Sequence, residues 1–431
     1  MLRTDSPYSL FSLKEFFFVF CVFYSSGAIS FYQSPLGYGT LIFLSVFTLI
    51  RYGISINNKL IIAFFIWAFY CTILLLKYGE FDLTFNHFVR ISTLIIASYS
   101  LVKLFGVTLF YKFERIVTLL AAISLFFWIW FNISPSSLLS FGNIFHIGSS
   151  ANSAGRQSEF YYLIIYTVEF FYNENTLIQR NYGFCIEPVA FSCFLVFALF
   201  FNVMRNSGFK FKKNIRFWIL MVALLTTQST TGIITFFVFL IFSYLLNKRS
   251  TIYKYVFFIP IILIFLFLFF KLEFLFPKIY EMYNDVLNFD DMLYRSSEKA
   301  RFSAGRFGGL IIGWNDFITY PILGIGPNSF RSYAYLSNAA LYNTNGFAGL
   351  MSTFGLFGLS IYSLLTIKTS IWISKFFNYR FKYGFFIIFT LCLMGAGIYR
   401  TVIFFSLMIF SYFITNENSF KNLEIDKNNV S

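Results

Sequence analysis

RNYGFCIEPVAF, Arg180 to Phe191, runs from a polar loop into an apolar stretch. It sets an arginine and a glutamate seven residues apart at the lip of that stretch. Residues 188–204 carry no charge at all. A helix needs about 20 mostly apolar residues, a few less at the limit, to cross the hydrocarbon of a bilayer. The segment therefore reads as a membrane span with Arg180 and Glu187 at its mouth. A charge in that position is costly unless it is paired, hydrated or in use.

Composition carries the same reading to the whole chain. Of 431 residues, 58% are hydrophobic and 12% charged, and phenylalanine alone contributes 66. A soluble chain of this length has about a quarter of its residues charged. The fold class is an all-α polytopic membrane protein. Two histidines, His87 and His146, exclude a histidine-rich metal site. The five cysteines show no paired spacing and lie mostly in apolar runs, where a thiol behaves as a small hydrophobe. The net charge of +14 sits largely in short loops, which is the mark of membrane topology and not of nucleic-acid binding. No signal-peptide cleavage pattern is present, so the first apolar run reads as a retained span.

Twelve spans emerge, near 16–32, 35–50, 59–76, 86–104, 115–133, 187–204, 216–229, 231–247, 253–270, 347–367, 383–399 and 401–414. With both termini cytoplasmic, the inside segments hold 21 of the 33 Lys and Arg residues, which satisfies the positive-inside rule. A further apolar stretch, FYYLIIYTVEFFY (160–172), is too short to cross and contains Glu169; it is expected to be an interfacial or re-entrant helix. The chain is a single integral membrane domain over 1–431 with two long outside loops, 134–186 and 271–346. The latter joins the ninth and tenth spans and balances seven basic with seven acidic residues. Long loops on a rigid scaffold are where function concentrates. No internal repeat is visible.

The second loop is rich in candidate chemistry. RFSAGRFGGLIIGWNDF (301–317) carries Arg301 and Arg306 and repeats apolar residues at helical spacing. YPILGIGPNSF (320–330) follows, where Gly324 and Gly326 would let backbone N–H groups approach a ligand. A polar cluster, Tyr342-Asn343-Thr344-Asn345, opens the tenth span, whose positive helix end would favour an anion. Arg180, Arg301 and Arg306 thus gather on one side of the membrane. Guanidinium forks suit phosphate oxygens, and Glu187 is placed to act as general base on a sugar hydroxyl.

Plainer readings exist for each residue. A loop arginine is often solvated or salt-bridged, and Asp316 or Glu298 could serve Arg306. Glu187-Pro188 suits a simple helix start. The Gly-Pro run suits a turn, and Asn86-His87 an interfacial position. Arg90, one turn inside the fourth span, either snorkels outward or reaches the same cavity. TTQSTTG (226–232) is a tight outside turn whose hydroxyls satisfy backbone groups or line a polar cleft.

Taken in order, these motifs resemble the O-antigen ligase and polymerase superfamily of bacterial envelopes. They are an arginine, Gly-x-x-x-Glu-Pro at a span, a Ser/Thr hairpin, then Gly-Arg, tryptophan, Pro-x-x-Gly-x-Gly and an Asn cluster before GLFG. The specific part covers roughly 180–358, and the polymerase side is the closer. The resemblance implies a glycosyltransferase of the inner membrane that needs neither metal nor cofactor. Its partners would be undecaprenyl-diphosphate-linked oligosaccharide at the periplasmic face and membrane lipid. A chain-length regulator is a further candidate partner. Arg180 and Arg306 match the motif arginines and would grip the diphosphate leaving group. Glu187 would be base or acceptor-positioning group, and Gly324 and Gly326 the glycine turn. Arg301, Arg90, Tyr342, Asn343 and Asn345 are the further candidates for substrate contact. Ligase-type members place a histidine before an asparagine at the tenth span. Here Tyr342-Asn343 stands at that place, which favours polymerase over ligase. A lipid-linked oligosaccharide flippase would be expected to show two related halves and more intramembrane charge. A solute permease would not need the long loop before the tenth span.

Overall fold

A computed structural model describes residues 12–28, 34–144, 158–162, 165–171, 179–206, 214–245, 302–303, 305–337, 341–342 and 345–414, with a few isolated positions between 280 and 289. In chain order the helices are α1 (Leu13–Tyr24), α2 (Pro35–Arg51), α3 (Asn58–Tyr78), α4 (Phe81–Phe105), α5 (Thr108–Ile133), α6 (Pro135–Ile144), α7 (Pro188–Arg205), α8 (Ile215–Thr226), α9 (Thr230–Leu245), α10 (Gly305–Thr319), α11 (Tyr333–Leu336), α12 (Gly346–Phe376), α13 (Gly384–Gly395) and α14 (Val402–Phe413). Their starts are written in the sequence. Ser34, Asn57, Asn214 and Asn345 each accept a backbone N–H of the first turn. Pro35 and Pro188 sit at the first helical position, where no N–H is needed.

Five helices, α3, α4, α5, α7 and α12, are long and apolar enough to cross a membrane. The protein is therefore a multi-pass, all-α membrane protein. Helix α7 is its axle. Sixteen of its eighteen residues are buried. Phe194 and Phe197 pack on Phe404 of α14 at 4.7 and 5.2 Å between ring centroids, and Phe197 on Phe389 of α13 at 5.6 Å. Such pairs contribute about 0.5–1.5 kcal/mol each beyond area burial, which is how a phenylalanine-rich chain specifies one packing. Helix α3 shows the opposite pattern. Ile61, Phe65, Phe69 and Leu76 form an exposed apolar ridge suited to lipid tails.

The ninth span (253–270) lies outside the described residues. The other eleven runs each coincide with a helix, with two differences. The first helix stops at Tyr24 and turns at Ser25. The tenth run becomes a helix broken at Gly355, which has φ 58° and ψ −150°. Separately, the described residues of the stretch 160–172 form no helix: β1 (Ser158–Tyr162) pairs antiparallel with β2 (Thr167–Phe171). Apart from Thr167 and Glu169 the stretch is apolar throughout, so its periodicity favours neither structure. Its Phe, Tyr, Ile, Val and Thr content then decides for strand. A second pair, β3 (Phe302–Ser303) and β4 (Leu341–Tyr342), is parallel and closes the loop that contains α10.

Side-chain contacts sort the loops to two ends of the bundle. At the lower end, Glu114 of α5 is fully buried and takes Asn202 Nδ2 at 2.7 Å, Arg205 Nη1 at 2.9 Å and Arg216 Nη1 at 3.8 Å. Lys112 pairs with Glu15 there at 2.7 Å. At the upper end, Glu80 binds Arg331 Nη2 and Asn328 Nδ2, both at 2.6 Å, which ties the α3–α4 turn to the segment after α10.

The break in α12 is filled by that same segment. Residues 321–326 form a strap. Leu356 and Phe357 N–H donate to the Pro321 and Ile322 carbonyls at 2.7 and 3.1 Å. Ile325 and Gly326 N–H donate to Ser352 and Thr353 at 2.9 and 3.1 Å. Tyr70 Oη donates to Leu323 O at 2.8 Å and Tyr78 Oη to Gly324 O at 2.9 Å. The carbonyls and N–H groups freed by the break are thus satisfied without water, as a hydrocarbon environment demands.

Candidate functional site

The opening stretch is built into the upper end from both sides. Arg180 donates from Nε to Thr227 O and from Nη2 to Gln228 O, both at 3.2 Å. Its planar fork thereby grips the TTQSTTG turn, where Gln228 holds a left-handed φ of 49°. Asn181 is fully buried and donates to Ser124 Oγ at 3.2 Å and Thr226 Oγ1 at 3.0 Å. Its own Oδ1 accepts Gly183 N–H at 2.9 Å. Gly183 has φ +55°, and a Cβ there would come within 2.6 Å of the Phe191 ring. Only glycine allows the chain to double back over α7. Tyr182 donates to the Glu169 carboxylate of the hairpin. Burial and that carboxylate both push the Tyr182 phenol far above its ordinary range.

Glu187 occupies the N-cap position of α7, yet its side chain makes no capping hydrogen bond. Its carboxylate instead reaches Arg306 at the start of α10, with Arg306 Nη2 3.8 Å from Glu187 Oε2. The Glu187 side chain remains 55% exposed and that of Arg306 26%. The Arg306 guanidinium also feels the positive charge of Arg180. Burial lowers the Arg306 pKa and Glu187 opposes the shift. Arg180, Arg306 and Glu187 therefore share this corner, with Glu169 close by on Tyr182. Guanidiniums at a half-exposed mouth suit a ligand that carries negative charge.

Asn345 fixes Arg306 in place. Its Nδ2 donates to the Arg306 carbonyl at 3.0 Å while its Oδ1 caps α12 by accepting Ala348 N–H, also at 3.0 Å. Asn345 is buried and holds the scaffold, a different duty from the sugar contact expected of it. Asp316, the alternative partner for Arg306, is taken up elsewhere. It accepts from Ser332 Oγ at 3.0 Å, Tyr333 N at 2.5 Å and Ser352 Oγ at 2.6 Å.

The glycine turn is structural. The N–H groups of Ile325 and Gly326 are used by the strap, and a Cβ on Gly324 would lie 2.4 Å from Ser352 O. The positive end of α12 is closed as well, because a Cβ on Gly346 would meet Ala396 O at 2.4 Å. Arg301 and Asn343 lie outside the described residues. Tyr342 pairs with Ser303 through β4, with its side chain outside the described residues. Arg90 sits on α4 within electrostatic reach of His87 and Tyr24. His87 stands between Trp67 and Phe354, at 5.2 and 5.4 Å between ring centroids, and is packed among aromatic rings.

Two residues escaped the sequence reading. Asn181 followed Arg180 in the motif and carried no charge to draw notice. Arg400 lies in the turn between α13 and α14, donating from Nε to Tyr399 Oη at 2.6 Å and from Nη2 to Thr353 Oγ1 at 3.4 Å. Its signal was available: a lone arginine in a short turn that the expected topology places on the side the positive-inside rule depletes.

A family model described as O-antigen ligase matches residues 215–363. The match supports membership of the O-antigen ligase/polymerase superfamily. Comparison with curated proteins and with solved structures finds no match. The matched segment contains Arg306, the strap and the 226–232 turn, while Arg180 and Glu187 precede it. Contacts join the two parts of this O-antigen ligase/polymerase-type protein: Arg180 binds the matched turn and Glu187 meets the matched arginine. Among the described residues no group of three His, Cys, Asp or Glu side chains is placed to hold a metal ion.

Proposed function

We propose that the protein is an O-antigen polymerase, a glycosyltransferase that needs neither metal nor cofactor. It moves a growing glycan from undecaprenyl diphosphate onto the terminal sugar of a new lipid-linked repeat unit. The upper end of the bundle faces the periplasm and the lower end, with its buried Glu114 knot, faces the cytoplasm. The observation that carries the reading is the corner where Glu187, Arg306 and Arg180 meet at the mouth of α7.

Each residue has a task that follows from its surroundings. As the glycosidic bond breaks, charge grows on the departing diphosphate. Arg306, half-buried and pinned through its own carbonyl, offers a positioned cation for that charge. A preorganised donor of this kind is worth about 10²–10³ in rate. Arg180 adds a second cation but spends two of its donors on the 227–228 carbonyls, so it also orders the turn. Glu187 is exposed and free of capping duty, so its carboxylate can take the proton of the attacking sugar hydroxyl. Polymerase is preferred over ligase because Tyr342-Asn343 stands where ligase-type members carry a histidine.

The test is incubation of purified protein with a lipid-diphosphate-linked repeat unit. A ladder of chain lengths is expected, and Arg306→Gln and Glu187→Gln should each abolish it. Transfer to a core lipid acceptor without a ladder would overturn the polymerase reading in favour of the ligase.

A further inference from the structure

A polymerase of this kind handles two lipid diphosphates at once. The donor's must depart. The acceptor's stays attached at the far end of the repeat unit, one oligosaccharide away from the hydroxyl that attacks. We infer that Arg90 and Arg400 form a second diphosphate site, which holds the headgroup of the acceptor lipid; the identity of that ligand rests on the polymerase reading.

Three observations converge on this pair. First, the His87 ring lies 5.4 Å from that of Phe354, which lies 6.2 Å from the ring of Tyr399 and follows Thr353, the partner of Arg400 Nη2; Arg90 is one helical turn from His87, so α4 and the α13–α14 turn bring the two guanidiniums to one imidazole. Second, neither is neutralised. Among the described residues no carboxylate lies within ion-pair distance of Arg90 or Arg400, although Arg180, Arg205, Arg216, Arg306 and Arg331 all have an acid or backbone carbonyls in their grip. Arg90 makes no hydrogen bond to a described residue, and His87 Nε2 beside it is buried without a partner. Third, the pair lies at membrane depth. Helices α13 and α14 have twelve residues each. At 1.5 Å per residue each is about 18 Å long, well short of a hydrocarbon core of about 30 Å. The turn that carries Arg400 therefore ends beneath the upper half of α12, and Gly349 and Thr353 of that half-helix lie directly against Arg400. Arg90 is nine residues into α4 and about one turn inside the apolar run 86–104. Unpaired cations at such depth are costly and are retained where a charged ligand uses them.

The spacing to the first site fits two headgroups. Arg306 is tied to Asn345 at the start of the upper half of α12, and Arg400 to Thr353 near its end. Eight residues of helix, about 12 Å, separate these anchors. Both sites thus flank one half-helix, with room between them for sugar and not for direct contact of two diphosphates.

Native mass spectrometry of the full chain in detergent, with farnesyl diphosphate as probe, tests the inference. Wild type is expected to hold two probes. Arg90→Gln/Arg400→Gln should hold one, as should Arg306→Gln, and the two variants should combine to none. The first variant should also raise the KM for the acceptor at least tenfold while leaving the KM for the donor unchanged. Arg90→Lys/Arg400→Lys should recover part of the loss. Should the glutamine pair misfold, Arg400→Gln alone, at an exposed turn, serves the same measurement. A single probe bound by wild type and kept by the Arg90/Arg400 variant overturns the second site and leaves the first standing. Undiminished binding by Arg306→Gln overturns the first. Phosphatidylglycerol displacing the second probe at equal concentration would make the pair an ordinary anionic-lipid contact and overturn the acceptor assignment.

Discussion

Replacing Gly355 by alanine distinguishes a structural strap from a phosphate cradle. Gly355 holds φ 58° and ψ −150°, a region that essentially only glycine visits. An alanine Cβ there would come within 2.6 Å of Gly324 N and 2.7 Å of the Ile322 and Pro321 carbonyls. These are backbone atoms and cannot swing aside. The strain alone costs about 1–3 kcal/mol. Displacing the strap endangers four backbone hydrogen bonds, between Leu356, Phe357, Ile325 and Gly326 and their carbonyls. Each is worth about 0.5–1.5 kcal/mol, so losing two brings the total to on the order of 2–6 kcal/mol. Gly324→Ala should behave alike, since its Cβ would sit 2.4 Å from Ser352 O. Gly326→Ala is the control. Its nearest neighbour would be a flexible Leu74 methyl at 3.5 Å, so only the left-handed backbone is penalised, by about 1–2 kcal/mol. Thermal unfolding of the purified protein should therefore rank Gly355→Ala and Gly324→Ala below Gly326→Ala, by roughly 1–5 °C for a chain of 431 residues. Polymerisation on a lipid-linked repeat, measured below the melting point, should change little in the donor's KM. A wild-type melt for Gly324→Ala together with a raised donor KM would refute the strap and restore the cradle.

Other expectations follow from the charges. Glu187→Gln should cost about 10²–10⁴ in transfer rate with a shift in stability below about 1 kcal/mol, because the pair it loses is half-exposed; ladder assays beside melting curves check both. Arg180→Lys should lose stability by about 1.5–3 kcal/mol, since an ammonium cannot hold the Thr227 and Gln228 carbonyls as a fork does; chemical denaturation reads the loss. Glu114→Gln should destabilise by about 3–5 kcal/mol while the folded fraction polymerises normally, because two arginines lose their buried partner far from the site.

Where the sequence spoke clearly, it did so through strong local terms. Span positions followed from hydrocarbon thickness, and starts such as Pro35 and Pro188 fell within a residue or two of the helices. The association of Glu187 with Arg306 was foreseen only as convergence on one side of the membrane. Which acid meets Arg306 depends on how α7 and α10 pack, and Asp316 lost to Glu187 because Ser332, Tyr333 and Ser352 already surround it. The break at Gly355 was invisible because GLFG continues an apolar helix pattern; only the strap's carbonyls make a break affordable. Arg400 was legible in principle, as a topological anomaly, but its relation to His87 and Arg90 is a tertiary fact.

The Glu114 knot has a consequence for how the protein is made. Asn202 and Arg205 are synthesised 88 and 91 residues after the carboxylate they neutralise. Until α7 is threaded into the bilayer, α5 must wait with an uncompensated acid near its lower end. Nascent chains truncated before Asn202 are thus expected to release α5 more readily on alkaline extraction than chains that extend past Arg216, so the first tertiary lock to close during biogenesis lies at the opposite pole from the corner of Glu187 and Arg306.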